Sequence, residues 1–209
     1  MHDPSDIISA PSGLDSTLLA RLGGRSIVLV GMPGSGKSSV GRRLALGLGL
    51  TFVDADGEIE AAAGMSISDI FATHGEPQFR SGEARVIARL LESGPQVLAT
   101  GGGAFMNPNT RSGIAAKGVS VWLKADVNVL LRRIKRRDDR PMLRSDDPAQ
   151  TLVDLMTQRD PIYALADVTV ESRDVPHTSI IEEIIAGLQL HLSALRGAEG
   201  AHRAQERTQ

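Results

Sequence analysis

The chain reads as an α/β domain in which a five-stranded parallel sheet is covered by helices on both faces. Three observations predict this. Short apolar runs alternate with longer amphipathic stretches along the sequence, the pattern of right-handed strand–helix–strand crossovers. A glycine-rich segment links the first apolar run directly to a helix-like stretch. Residues able to do chemistry then gather just after the runs, where open parallel sheets bind their ligands.

The candidate strands, in order, are Ile27–Val30, Thr51–Asp54, Gln96–Thr100, Val119–Leu123 and Asp167–Val170. Helical stretches fall near 36–48, 56–63, 66–72, 79–93, 108–116, 126–136, 148–165 and 177–195. Residues 1–24 are expected to be a flexible lead-in carrying a short helix around Ser16–Leu22. A single domain is expected over 25–195, with a polar, frayed tail over 196–209.

Composition bounds the function classes. With 209 residues, 41% of them hydrophobic, and a formal net charge of −2, the chain suits one ordinary soluble domain. No positive excess points to nucleic acid or an anionic membrane surface. No apolar run approaches the roughly 18 residues that span a bilayer. The first 25 residues lack a basic start followed by an apolar core, so no secretory signal is expected and the cytoplasm is the default. The absence of cysteine excludes thiol nucleophiles and thiolate-held metals.

The segment Gly31-Met-Pro-Gly-Ser-Gly-Lys-Ser38 follows the apolar run Ser26–Val30 and opens a helix. It is the G-x-x-x-x-G-K-[ST] phosphate loop in the context that gives the pattern meaning. Its glycines let consecutive backbone N–H groups face an anion, and the helix N-terminus adds its dipole. Lys37 brings a charge that reaches β- and γ-phosphates, and the Ser38 hydroxyl suits Mg²⁺. The chain is expected to bind a nucleoside triphosphate.

Four further segments carry chemistry. In Asp54-Ala-Asp56 the two carboxylates lie two apart on an extended segment and face the same side. One suits the hydration shell of Mg²⁺, and the other suits an acceptor hydroxyl and its proton. The competing reading makes Asp56 the cap of a helix that starts at Gly57. Arg80 and Glu83 are spaced to pair across one helical turn, which orients the guanidinium for a carboxylate or phosphate, although such a spacing also describes a solvated surface pair. Gly101-Gly102-Gly103 ends the third candidate strand at a high cost in chain entropy. It is therefore read as permitting close approach of backbone to ligand. The basic run Arg132, Arg133, Lys135, Arg136, Arg137 and Arg140 fits either a solvated helix face or a mobile lid that delivers an arginine to the transferring phosphoryl group. Arg159, one turn before Tyr163, is a second candidate for an anionic group. His74 is read as surface, Trp122 as core, and Met65 and Met106 as filler.

Together these segments resemble the shikimate kinases, of the nucleoside-monophosphate-kinase branch of P-loop enzymes. The likeness runs from about Ile27 to Ile185. It rests on Gly31–Ala45, Asp54-Ala-Asp56, Phe71–Glu83, Gly101–Gly103, Arg140-Pro-Met-Leu143 and Arg159-Asp-Pro-Ile-Tyr163. The resemblance implies a three-layer P-loop α/β/α fold with lid and substrate-binding helices. It also implies ATP-dependent phosphorylation of the 3-hydroxyl of shikimate by a monomer, with Mg²⁺. Carried over by position, Asp56 would bind shikimate hydroxyls and act as base. Arg80 and Arg159 would hold the carboxylate, and the Gly102 backbone would touch a hydroxyl. Gly34, Ser35, Gly36, Lys37, Ser38 and Ser39 would wrap the phosphates. Ser38 and Asp54 would hold the metal, Arg140 would come from the lid, and Arg133 would lie near the adenine. Met142 stands where the family often has leucine. The family's late adenine-side arginine has no clear counterpart after Val170. Another small-metabolite kinase, such as a gluconate kinase, would leave the triple glycine and Phe-Arg-x-x-Glu unexplained. A non-catalytic nucleotide switch would leave the Asp56, Arg80 and Arg159 set without a purpose.

Overall fold

The computed structural model describes residues 13–135 and 147–206. Five strands, β1 (Ser26–Val30), β2 (Thr51–Asp54), β3 (Gln96–Ala99), β4 (Gly118–Lys124) and β5 (Val168–Glu171), form one sheet in the order β2-β3-β1-β4-β5. Every pairing is parallel, and Val28 sits opposite Leu98 on one side and Ser120 on the other. The predicted strands match these to within one residue at each end.

The sheet's period of two divides its side chains between two cores. Ile27 and Leu29 face one layer with α1 (Gly13–Leu22), α2 (Lys37–Leu48) and α8 (His177–Glu206), where Leu44, Leu48, Ile184 and Leu188 are buried. Val28 and Val30 face the other layer, with α4 (Ile67–Glu92), α5 (Pro108–Lys117), α6 (Val127–Lys135) and α7 (Pro148–Tyr163), where Ile87, Ile114, Leu130 and Leu152 are buried. Because β1 is covered on both faces, all five of its residues are buried, which explains why it reads as an unbroken apolar run. A small third cluster, Ile59, Ile70 and Phe79, fastens α3 (Ala55–Ala63) to α4.

Three local expectations change. The short helix expected around Ser16–Leu22 starts at Gly13 as α1, and it is docked rather than part of a flexible lead-in, with Leu18 and Leu22 fully buried. Helix α8 continues to Glu206, beyond the expected start of the tail. The two helices expected over 66–72 and 79–93 abut as α4, with a break at Gly75 (φ 75°, ψ 169°) just before Pro77. Proline lacks the N–H that would bond back across the break, so the second segment restarts there at a new angle.

Candidate active site

The phosphate loop joins β1 to α2. Gly34 (φ 86°) and Gly36 (φ 98°) hold left-handed conformations that favour glycine. Gly36 caps α2 without a side-chain hydrogen bond, so the amides of the first turn are left for an anion. Lys37 Nζ donates to the carbonyls of Gly31 (2.8 Å) and Met32 (3.0 Å), which holds its charge over the loop. Ser35 sits differently from its neighbours. Its side chain is fully buried and its N–H donates to the Met32 carbonyl.

At the end of β2 the Ser38 hydroxyl donates to Asp54 Oδ2 at 2.7 Å. The other oxygen of Asp54 accepts from the Asp56 N–H at 3.3 Å, so Asp54 is the cap of α3. The capping role considered for Asp56 thus belongs to its neighbour, and Asp56 lies in the first turn, against the cleft. A hydroxyl and a carboxylate already in contact are a donor set that fits a hard divalent cation keeping most of its water.

The triple glycine solves a packing problem. None of Gly101, Gly102 and Gly103 has a left-handed backbone, so conformation is not the requirement; space is. A Cβ on Gly101 would stand 2.7 Å from Glu83 Oε1 and 2.8 Å from Asp56 Oδ1. One on Gly102 would stand 2.7 Å from Pro33 Cδ in the phosphate loop, and one on Gly103 would stand 2.5 Å from Arg80 Nη1. Three side-chain-free positions let the phosphate loop, a carboxylate pair and an arginine close on one turn.

Arg80 is fixed on several sides. It pairs with Glu83 at 2.8 Å and Glu76 at 3.1 Å, and its guanidinium lies 5.0 Å from the Phe79 ring. Desolvation opposes its charge, but these pairings outweigh it and raise its pKa further. Burial pushes the Glu83 carboxyl up; Arg80 opposes this, Asp56 adds to it, and Arg159 opposes it more weakly. A single buried carboxylate therefore senses both arginines and the aspartate. Among the described residues, Glu83 Oε1 has no hydrogen-bond partner.

Arg159 and Tyr163 reach the same turn from α7. Arg159 Nη1 donates to the Gly102 carbonyl at 3.3 Å, and the Tyr163 hydroxyl donates to the same oxygen. A cleft of about 450 Å³ holds Lys37, Ser38, Asp54, Asp56, Gly102 and Arg133 together, whereas Arg80 and Arg159 do not line it and meet it only through the glycine turn. Gly34, Gly36 and Ser39 also line it. At its far end Arg133 donates to Ser172 Oγ (2.8 Å), the Arg173 carbonyl (2.9 Å) and Asp174 (3.1 Å). Ser172 Oγ in turn donates to the Ser35 carbonyl at 2.7 Å, which links this end to the phosphate loop. Ser172, Arg173, Asp174, Val175 and His177 also line the cleft, outside the motifs that carry the resemblance; their place follows from β5 lying beside β4. Arg173 pairs with Glu183 on α8. Arg140 lies outside the described residues.

Comparison with known proteins agrees with this architecture. The family model described as shikimate kinase matches residues 33–189. A shikimate kinase of Bradyrhizobium diazoefficiens is 60% identical over 88% of this chain and 89% of its own length. One from Rhodopseudomonas palustris is 58% identical over 86% of this chain and 89% of its own. Among solved structures, a shikimate kinase from Acinetobacter baumannii in complex with shikimate superposes with a TM-score of 0.77. That protein is 39% identical, over 85% of this chain and 98% of its own. A match over most of the domain, at this identity and with this shape, leaves one assignment: the chain belongs to the shikimate kinase family.

Proposed function

We propose that this chain transfers the γ-phosphoryl group of ATP to the 3-hydroxyl of shikimate, releasing shikimate 3-phosphate and ADP. The observation that carries the reading is the Gly101–Gly103 turn, against which Pro33 of the phosphate loop, Asp56 with Glu83, and Arg80 are packed. Donor and acceptor sites thus share a wall one residue thick. Phosphoryl transfer needs mainly positioning and charge stabilisation, and that wall supports both.

The placement of the residues supports the following roles. Arg80 and Arg159 come from different helices to adjacent residues of one turn, which suits the two oxygens of a carboxylate. Asp56, on the cleft side of α3, suits a ring hydroxyl and the proton it loses on attack. The backbone of Gly102 borders the same space. Amides of Gly34, Gly36, Lys37, Ser38 and Ser39 suit the phosphates, and Lys37 leaves its carbonyl partners to meet transferred charge. Ser35 contributes through backbone packing rather than its buried hydroxyl. Ser38 and Asp54 would hold Mg²⁺, which supplies charge neutralisation across the β- and γ-phosphates when bound. Arg133, fixed by Ser172 and Asp174, suits the nucleoside end. Arg140 keeps the lid role implied by the resemblance. The monomeric state is the one implied by the resemblance. The cytoplasm remains the default compartment, and the formal net charge of −2 offers no basic excess to nucleic acid or membrane, which supports small-molecule partners.

A coupled assay of ADP release tests the reading over shikimate, gluconate and nucleoside monophosphates. Turnover that needs shikimate, and that no other acceptor restores, is expected. ADP release at the same rate without shikimate would overturn the assignment.

A further inference from the structure

The motif Arg159-Asp-Pro-Ile-Tyr163 contributes two side chains to the glycine turn, and the proposed chemistry uses only the arginine. Tyr163 is nevertheless among the most completely buried large side chains of the protein. Its ring stacks against Trp122 of β4 (centroids 5.8 Å apart, planes 24° apart) and against Phe105 (6.3 Å, 15°). Phe105 lies in the short 3₁₀ turn Ala104–Met106, directly after the three glycines. The ring position is therefore set by the central sheet on one side and by the end of the glycine turn on the other. The hydroxyl that this stack presents donates to the Gly102 carbonyl. Burial pushes its pKa up to about 12, so it stays a protonated donor at any working pH.

A carbonyl oxygen accepts two hydrogen bonds, and here both donors come from α7, one turn apart: Tyr163 and Arg159. They differ in what else they can do. Tyr163 is enclosed and has nowhere else to turn. Arg159 is a charged, five-donor group that is only partly buried. The glycine turn has no side chains of its own to hold it, and unrestrained glycine samples the widest range of backbone conformations. Resting on the acceptor reading above, we infer that Tyr163 is a positioning residue for the acceptor site. It pins the Gly102 peptide permanently, so that Arg159 can turn to the substrate carboxylate without releasing the turn.

The chain contains one tyrosine and one tryptophan, so the test can be specific. Tyr163→Phe keeps the ring and its stack and removes only the hydroxyl. Loss of one hydrogen bond at the turn is expected to raise KM for shikimate about three- to tenfold. KM for ATP should stay within twofold, and the Trp122 emission spectrum should be unchanged. The inference is overturned by a shikimate KM within twofold of the parent, or by equal rises in both KM values. As a second measurement, 3-fluorotyrosine incorporated into the full-length chain gives a single ¹⁹F resonance. Saturating shikimate should shift it, whereas Mg·ADP alone should leave it in place; a resonance that shikimate does not move would also overturn the inference. Failure of the acceptor reading would look different, because the unsubstituted protein would then not turn over shikimate at all.

Discussion

The guanidinium of Arg80 occupies the space a side chain on Gly103 would need, with Nη1 only 2.5 Å from where a Cβ would stand. A side chain at position 103 can be accommodated only if Arg80 moves. Gly103→Ala should therefore displace Arg80 and raise KM for shikimate on the order of 10- to 100-fold. KM for ATP should change little, since the phosphate loop is walled off by Gly102 and not Gly103. Steady-state kinetics with each substrate varied in turn will show the split.

Arg80→Ala removes the partner of a buried carboxylate as well as a substrate contact. Shikimate binding should weaken by about 2–5 kcal/mol, read by calorimetric titration, with ADP affinity retained. Equal loss of both ligands would mean that the arginine serves the fold rather than the acceptor.

Glu83 makes a pH prediction with a definite sign. Its folded-state pKa is raised, chiefly by burial, so the folded state binds its proton more tightly than the unfolded chain does. The stability it contributes is fully present below the ordinary carboxyl pKa and is lost as pH rises through the raised value. Relative to Glu83→Gln, the parent protein should lose thermal stability as pH rises above the ordinary carboxyl range. Melting curves of both proteins across that rise check it; parallel curves would remove the assignment.

Asp54 combines two tasks that one substitution can separate. Asparagine caps helices as well as aspartate does but lacks the charge a divalent cation needs. Asp54→Asn should melt within a few degrees of the parent, while the Mg²⁺ concentration for half-maximal rate rises about 10- to 100-fold. An unchanged Mg²⁺ dependence would take Asp54 out of the metal site.

Helix α1 should behave as part of the domain. Leu22 is fully buried against the core that includes α8, and Leu22→Ala should cost about 2–5 kcal/mol of stability. Denaturant unfolding measures this, and a loss below 0.5 kcal/mol would place α1 outside the cooperative unit.

Much of the molecule was readable along the chain. The five strands show as apolar runs because a parallel sheet buried on both faces leaves no polar alternation to blur them. The phosphate loop shows because its glycines, lysine and serine must be consecutive to surround one anion. Asp54, Asp56, Arg80 and Arg159 stand near strand ends or within recognisable helical spacings, so they could be singled out as candidates, while the acidic, hydroxylated acceptor came from the resemblance to shikimate kinases. Local pattern failed where an element's state depends on a distant partner. A short helix around Ser16–Leu22 was readable, but its earlier start at Gly13 and its burial were not, because they depend on the surface that α8 offers it. The exchange of the capping role from Asp56 to Asp54 depends on where α3 meets β2.

The reason for three glycines lay furthest from the sequence. Their entropy cost marks the turn as unusual, but each one is required by a different neighbour: Asp56 with Glu83, then Pro33, then Arg80. Those neighbours are brought together from separate elements by the crossing of strands and helices. The second anchor at Gly102, Tyr163, is likewise invisible as a pattern, because one tyrosine near the end of a helix has the same signature whether it fills a core or holds a peptide. Covalent order along the chain specifies the kinds of group available and the elements that carry them. Which groups touch is decided by packing, since contact energies fall off within a few ångströms and act between residues far apart in sequence.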